Sequence, residues 1–295
     1  MKVFSGRIDL HCHSDASDGV FSPEAVVQRA HRQGVGLLSL TDHDTMHGVA
    51  RAQAAARRLG VCFLHGLELS TVWAEQSIHV VGLNLPWPDA GVASWLDHAL
   101  ASRRSRAREM AARIEEIGFV GAQAWVEKEL EKATASPSRA NFARWLLAQG
   151  FVGTYQEAFD RWLGEGKPAY VQTEKIDMAD GVRWIRQAGG IPVLAHPGRY
   201  RFSDEWMRRE LVRAFYRAGG QAIEISSGSH SADWQAYFRG AAQRFDLWGS
   251  TGSDWHSPQG VRPSLGHQGF WNRSLAITPV WEVLGYRCQD ETVMY

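Results

Sequence analysis

Seven short apolar runs recur along the chain, and several of them end in polar, chemically capable residues. They are "RIDLHCH" (7–13), "VGLLSLTDHD" (35–44), "VCFLHGLELS" (61–70), "SIHVVGLNL" (77–85), "GIPVLAHPG" (190–198), "QAIEISSG" (221–228) and "LWGSTGSDWH" (247–256). Each reads as a strand, and most follow a segment of helical pattern. In "SPEAVVQRAHRQG", Ser22 suits the helix N-cap, Pro23 the first helical position and Gly34 the stop. Alternation of strand, polar loop and helix predicts an α/β barrel or a doubly wound sheet. One link breaks the rule. The connection from "LELS" to "SIHVV" is too short for a parallel crossover. It predicts an antiparallel hairpin turning near Ala74–Ser77, which folds His79 back toward Glu68. A distorted barrel therefore fits better than a regular eightfold one.

The middle of the chain differs. Residues 91–166 hold no convincing strand, and Leu96, Leu100, Met110, Ile114 and Ile117 recur at helical spacing before Gly118. "FARWLLAQG" and "TYQEAFDRWLGEG" read as further helices. We expect a barrel built from 1–90 and 167–295, with 91–166 as a helical insertion covering one mouth.

Thirty-two basic residues balance thirty-two acidic ones, so bulk attraction to nucleic acid or membrane is not expected and anion binding must be local. Cys12, Cys62 and Cys288 lie far apart, which fits a reducing cytoplasm. Arg7, Asp9 and His11 interrupt the N-terminal apolar residues too early for a signal peptide. No apolar run is long enough to span a bilayer. The thirteen tryptophans are read as packing residues.

Strand residues two apart share a face, so His11 and His13 project together while Cys12 faces away. Asp9 shares their face and could orient a ligand. His43, Glu68, His196, Asp254 and His256 stand at the ends of other runs, where βα folds place their sites. So many imidazoles and carboxylates at strand ends predict a metal site.

The motifs "DLHCHSDASDG", "LTDHDT", "GLELS", "IHVVGLN", "AHPGRY" and "GSDWH" resemble, in order, those of the PHP (polymerase and histidinol phosphatase) family. The resemblance implies a distorted seven-stranded βα barrel, a (β/α)7 PHP barrel, with a metal site of two or three ions. "SRANFARWL" and "GKPAYV" are similar to segments of stand-alone bacterial members that act as nucleoside 3′,5′-bisphosphate phosphatases and as 5′→3′ exoribonucleases of the RNase AM kind. Carried over residue by residue, the resemblance implies three divalent ions. His11, His13, Glu68 and Asp254 would hold one; Glu68, His79 and His196 a second; Asp18, His43 and His256 a third. Asp15 is not chosen. Donors of this kind without cysteine suit Mn²⁺, Fe²⁺ or Zn²⁺, with manganese first, chiefly from the family.

Clustered divalent ions favour phosphoester hydrolysis by a metal-bridging water. The expected activity removes the 3′-phosphate of nucleoside 3′,5′-bisphosphates such as adenosine 3′,5′-bisphosphate and trims short 5′-phosphorylated RNA. Arg199, Arg139, Arg144 and Lys167 are the candidate phosphate contacts. Arg139 and Arg144 do not form an ideal i, i+4 pair, so one of them could be structural. His230 and Asp42 are candidate proton donors. "RRSRAR" (103–108) is read as a solvated face, and His31, His65 and His98 as structural. His267 is placed near the mouth, and Glu224 is either a support for a ligand or a satisfied core carboxylate. The competing readings are histidinol-phosphate phosphatase or another phosphoesterase of the family, an amidohydrolase, and a non-catalytic metal module. No obligate protein partner and no membrane association are expected.

Overall fold

A computed structural model of the chain describes residues 1–131, 137–172, 176–202, 204–259, 262–268 and 277–289, apart from the side chains of Ala90 and His98. The elements run in the order β1 (Lys2–Phe4), β2 (Arg7–Asp9), α1 (Pro23–Arg32), β3 (Val35–Leu40), α2 (Val49–Leu59), β4 (Cys62–Trp73) and β5 (Gln76–Leu83). Then come α3 (Ala90–Glu116), α4 (Ala122–Leu130), α5 (Arg139–Ala148) and α6 (Tyr155–Ala158), the last leading into a wide turn at Phe159–Leu163. The chain continues with β6 (Ile176–Asp177), α7 (Met178–Gln187), β7 (Ile191–Leu194), α8 (Glu205–Arg217), β8 (Ala222–Ser227), α9 (Ala232–Phe245) and β9 (Trp248–Gly252). It finishes with α10 (Val280–Val283) and β10 (Tyr286–Cys288).

All seven apolar runs are strands of one sheet, in the order β2-β3-β4-β5-β7-β8-β9, with β6 beside β4. The sheet nearly closes on itself. Past the ends of β2 and β9, Leu10 N–H donates to Thr251 O (3.0 Å), His13 N–H to Trp255 O (2.9 Å) and Asp254 N–H to His11 O (2.8 Å). The strands are parallel except β5, which runs against both β4 and β7. The turn between β4 and β5 uses Ala74 and Glu75 at φ 46° and 63°. In the parallel strands β7 and β8 every residue is buried, as expected where helices cover the outer face. Two pairings escaped the sequence reading: β1 with β10, and β6 with β4.

Helix ends follow local chemistry. The Ser22 hydroxyl accepts from Ala25 N–H at 3.3 Å, which opens α1, and Gly34 follows it at φ 76°. That positive φ is open to glycine at little cost.

Because β5 runs downward, the chain leaves the sheet at the end away from the strand termini that carry the metal-type residues. A helix of 27 residues, about 40 Å long, then climbs back up. The first turns of α3 bury Val92 and Leu96 in the barrel core, and Trp95 stacks on Trp184 of α7 with ring centres 4.3 Å apart. Its later turns bury Ala107, Met110, Ala111 and Ile114 in a second core with Phe142, Leu146 and Leu163. No helix among the described residues is long and apolar enough to cross a membrane.

Candidate metal centre

The site gathers where the strands end. β2 runs into His11 and His13, which are fully buried. Gly252 makes room for them: a Cβ there would lie 2.1 Å from the His11 Cβ. Between these ends, Cys12 turns into a separate apolar cluster with Val26, Leu38 and Trp255, and its Sγ donates to Ser39 O. Past β3, Asp42 O accepts from Glu68 N–H and Glu68 O from Asp44 N–H, so His43 is pinned beside the middle of β4. The hairpin pairs His79 with Ser70, so His79 faces the same way as Glu68, two residues along. His196 and Asp254 have left-handed backbones, at φ 30° and 54°. Such conformations in non-glycine residues concentrate at functional sites.

Glu68 lies at the centre. Its Oε1 is 2.8 Å from His79 Nδ1, 3.0 Å from His196 Nε2 and 3.3 Å from His11 Nε2. Its Oε2 is 3.0 Å from His43 Nδ1 and 3.3 Å from His13 Nε2. Asp254 Oδ1 adds a second acceptor 3.3 Å from His13 Nε2 and 3.7 Å from His11 Nε2. Asp18 Oδ1 is 3.1 Å from His256 Nε2, and Asp18 Oδ2 is 3.9 Å from His43 Nε2. Donor atoms close enough to share an ion form three overlapping groups: His11, His13, Glu68 and Asp254; His43, Glu68 and His79; and His13, Asp18, His43 and His256. The first matches the grouping implied by the resemblance. In the other two the overlap differs, because His43 lies between Glu68 and Asp18 and reaches both. Asp15 is exposed and stands apart from them, whereas Asp18 is buried.

The donor set fits divalent cations. Buried polar atoms are normally hydrogen-bonded, yet His11 Nε2, both ring nitrogens of His13, Asp18 Oδ1, His43 Nδ1 and Glu68 Oε2 have no hydrogen-bond partner. Electrostatics point the same way. Burial would raise the Glu68 carboxyl, but His43, His11 and His79 hold it well below the usual carboxylate range. Asp18, against the same burial, is held down by His256 and His43. Burial presses His13 and His196 down to about 3, so their rings are neutral ligand donors at neutral pH. His256 goes the other way, up to about 9, because Asp18 overcomes its burial.

Several expected roles change. His230 has both ring nitrogens in use: Nδ1 donates to Ile225 O at 2.9 Å and Nε2 accepts from Gly198 N–H at 3.0 Å. Asp42 accepts from Ser14 N–H, the Ser14 hydroxyl and the Ser17 hydroxyl, each at 2.7 Å. Both side chains are engaged in these bonds, and Asp42 holds the loop that delivers Asp18. Asp9 accepts from the backbone N–H groups of Ser253 (2.9 Å), Gly266 (2.9 Å) and His11 (3.3 Å), so it supports the backbone and not an imidazole. His267 Nδ1 lies 2.9 Å from Leu265 O, two residues back in its own loop.

The "RRSRAR" segment is a correction as well. Arg103 is largely buried and donates to Asp44 and Ser70, and Arg106 donates to Val171 O. Arg104 donates to Leu130 O, and Arg108 lies in an exposed pair with Glu127. A helix that crosses from one core to the other buries faces that its apolar stripe alone marks as polar. Arg144 donates to the Asp18 carbonyl, Arg139 stands 5.6 Å over the Tyr170 ring, and Lys167 is exposed. Arg199 Nη1 and Arg262 Nη2 both reach Asp254 Oδ2, at 3.0 and 2.8 Å. Arg262 carries no motif in "GVRPSLGHQG", and nothing local could have singled it out.

A nearly closed, mostly parallel barrel with a largely buried set of six imidazoles and three carboxylates is the scaffold of a metal-binding protein. Residues 9–86 match the model of the PHP domain. The chain is 41% identical over 265 residues to the 3′,5′-nucleoside bisphosphate phosphatase of Chromobacterium violaceum, covering 88% of this chain and 91% of that protein. It is 39% identical over 282 residues to the 5′-3′ exoribonuclease of Haemophilus influenzae, covering 94% and 98%. A solved structure of an amidohydrolase from Chromobacterium violaceum with bound sulfate superposes with a TM-score of 0.84 at 38% identity, covering 95% of this chain and 96% of that one. The chain belongs to the PHP family, and its site binds divalent metal.

Proposed function

We propose that this protein is a metal-dependent phosphoesterase that removes the 3′-phosphate from nucleoside 3′,5′-bisphosphates and trims short 5′-phosphorylated RNA from its 5′ end. The observation that carries this reading is Glu68, with imidazoles of five histidines around its two oxygens and a second and third carboxylate nearby. Three ions would be held there: by His11, His13, Glu68 and Asp254; by Glu68, His79 and His196; and by Asp18, His43 and His256. Manganese is the first choice, since imidazole and carboxylate donors without cysteine suit it. Such ions, when bound, lower the pKa of a shared water and neutralise phosphoryl oxygens.

The chain's own residues supply the rest. Glu68 and Asp254 hold the histidine rings in register. Arg199 and Arg262, paired on Asp254 Oδ2, put two guanidinium groups beside the donor cluster, where a phosphate oxygen can share them. Segment 91–166 acts as a cap on the barrel of 1–90 and 167–295, and its Arg144 is anchored on the loop that carries Asp18. Arg139 and Lys167 are the further cations proposed to meet substrate. The named activities of the two relatives, and the sulfate bound to the solved relative, agree with a phosphate-bearing substrate.

The test offers purified protein with Mn²⁺ three substrates: adenosine 3′,5′-bisphosphate, a short 5′-phosphorylated RNA and histidinol phosphate. Release of phosphate from the first and of mononucleotides from the second is expected. Turnover of histidinol phosphate alone would overturn the nucleotide assignment, and no turnover of any of the three would overturn the phosphoesterase reading.

A further inference from the structure

Glu224 is fully buried inside β8 and touches the segments that follow two other strands. Its Oε1 lies 2.7 Å from His11 Nδ1, and its Oε2 accepts the backbone N–H of His196 at 2.6 Å. A carboxylate only accepts, so the His11 proton sits on Nδ1 and leaves Nε2 facing Glu68 and Asp254. The second bond pins His196 where its backbone is left-handed, at φ 30°. The next turn is braced from the same strand: His230, held on Ile225 O, accepts the N–H of Gly198. The β8–β9 register shifts between Glu224 and Ser226, next to Ile225.

We infer that Glu224 is a positioning residue for the metal centre, fixing the His11 tautomer and the His196 turn with the two oxygens of one carboxylate. The inference rests on the metal-centre reading above. A carboxylate behind a ligating imidazole orients the ring and strengthens it as a donor, and losing such a partner weakens metal affinity by about 10–100-fold. Here one side chain serves ligands from β2 and from the loop after β7, so a single substitution disturbs two of the three proposed ions. Glutamine has the same shape but keeps one acceptor and turns the other into a donor. Glu224→Gln therefore cannot satisfy both His11 Nδ1–H and His196 N–H.

The experiment uses the full-length protein labelled with ¹⁵N-histidine and loaded with diamagnetic Zn²⁺, with His11 signals identified by their loss in His11→Asn. Long-range ¹H–¹⁵N spectra of wild type should show His11 protonated at Nδ1 and zinc-bound at Nε2. Glu224→Gln should remove the zinc-bound signature from His11 or His196 and weaken Zn²⁺ and Mn²⁺ affinity by about 10–100-fold, in a variant whose amide spectrum shows that it is folded. A wild-type His11 lacking the Nδ1 proton would overturn the inference, whether or not the variant folds. So would a variant with both signatures and wild-type affinity. A wild type that takes up no metal would instead overturn the metal centre itself.

Discussion

Arg103 of α3 places its Nε 2.6 Å from Asp44 Oδ2, one residue beyond His43. Asp44 also accepts from Ser70 N–H at 2.7 Å, so this pair ties the helical segment to the loop that delivers a candidate ligand. Both side chains are nearly buried, at 13% and 8% exposure. Removing one partner of a buried pair strands the other charge, at a cost of about 3 kcal/mol. Arg103→Ala should lose about that much in urea unfolding and lower kcat. Adding Asp44→Asn should recover part of the stability; a single variant as stable as wild type would refute the pair's role.

Metal removal should be visible as lost stability. Ligand at about 100 times its Kd adds about 2.7 kcal/mol to a folded state that alone binds it. For a chain of this size that corresponds to a rise of roughly 4 °C in Tm. Scanning calorimetry of chelated protein, repeated with saturating Mn²⁺, should show this rise. Equal midpoints would count against the orphaned donors being ligands.

The pH response should divide the histidines. His256 binds its proton more tightly folded (about 9) than unfolded (6.5), so its pair with Asp18 stabilises the metal-free fold fully below pH 6.5, and that contribution disappears as pH rises through about 9. His13 and His196, held at about 3, act oppositely: their contribution is present above 6.5 and is lost as pH falls toward 3. Asp18→Asn should flatten the alkaline limb of the stability profile of chelated protein and also remove the acid-side contribution of Asp18, whose carboxyl is held well below its usual range. Metal must displace the His256 proton, so Mn²⁺ affinity at that group should rise with pH toward 9. Calorimetry in buffers of different ionisation heat would count the protons released.

Arg199→Ala should raise KM for adenosine 3′,5′-bisphosphate. A hydrogen bond to a charged group contributes about 1.5–3 kcal/mol, or roughly 10–150-fold in kcat/KM. Arg199→Lys should recover little of the loss if the planar fork matters. Unchanged steady-state constants would remove Arg199 from the phosphate contacts.

The seven main strands were legible because each announces itself within ten residues, and the reversal of β5 because the Ala74–Ser77 connection has too little chain to cross over. His11, His13, Asp18 and Glu68 were legible from motif order, which supplies the partners that local spacing omits. The pairings of Lys2–Phe4 with Tyr286–Cys288 and of Thr71 with Ile176 were not. They are two- and three-residue ladders between segments distant in sequence, with no local pattern to mark them. Arg103 and Arg106 were misread because a helical wheel assumes one core, whereas α3 serves two. Arg262 and the bonds of Glu224 depend on distances between strands that no periodicity encodes.

That shared helix has a further consequence. Leu96 sits in one core and Ala107 in the other, joined by uninterrupted α-helix. Deleting a single residue between them would swing everything beyond by about 100° and draw it in by about 1.5 Å. The length of this stretch is therefore a phase setting: whole-turn changes can keep Arg103 aimed at Asp44 and Ser70, while shorter ones turn it away with every contact inside each core intact.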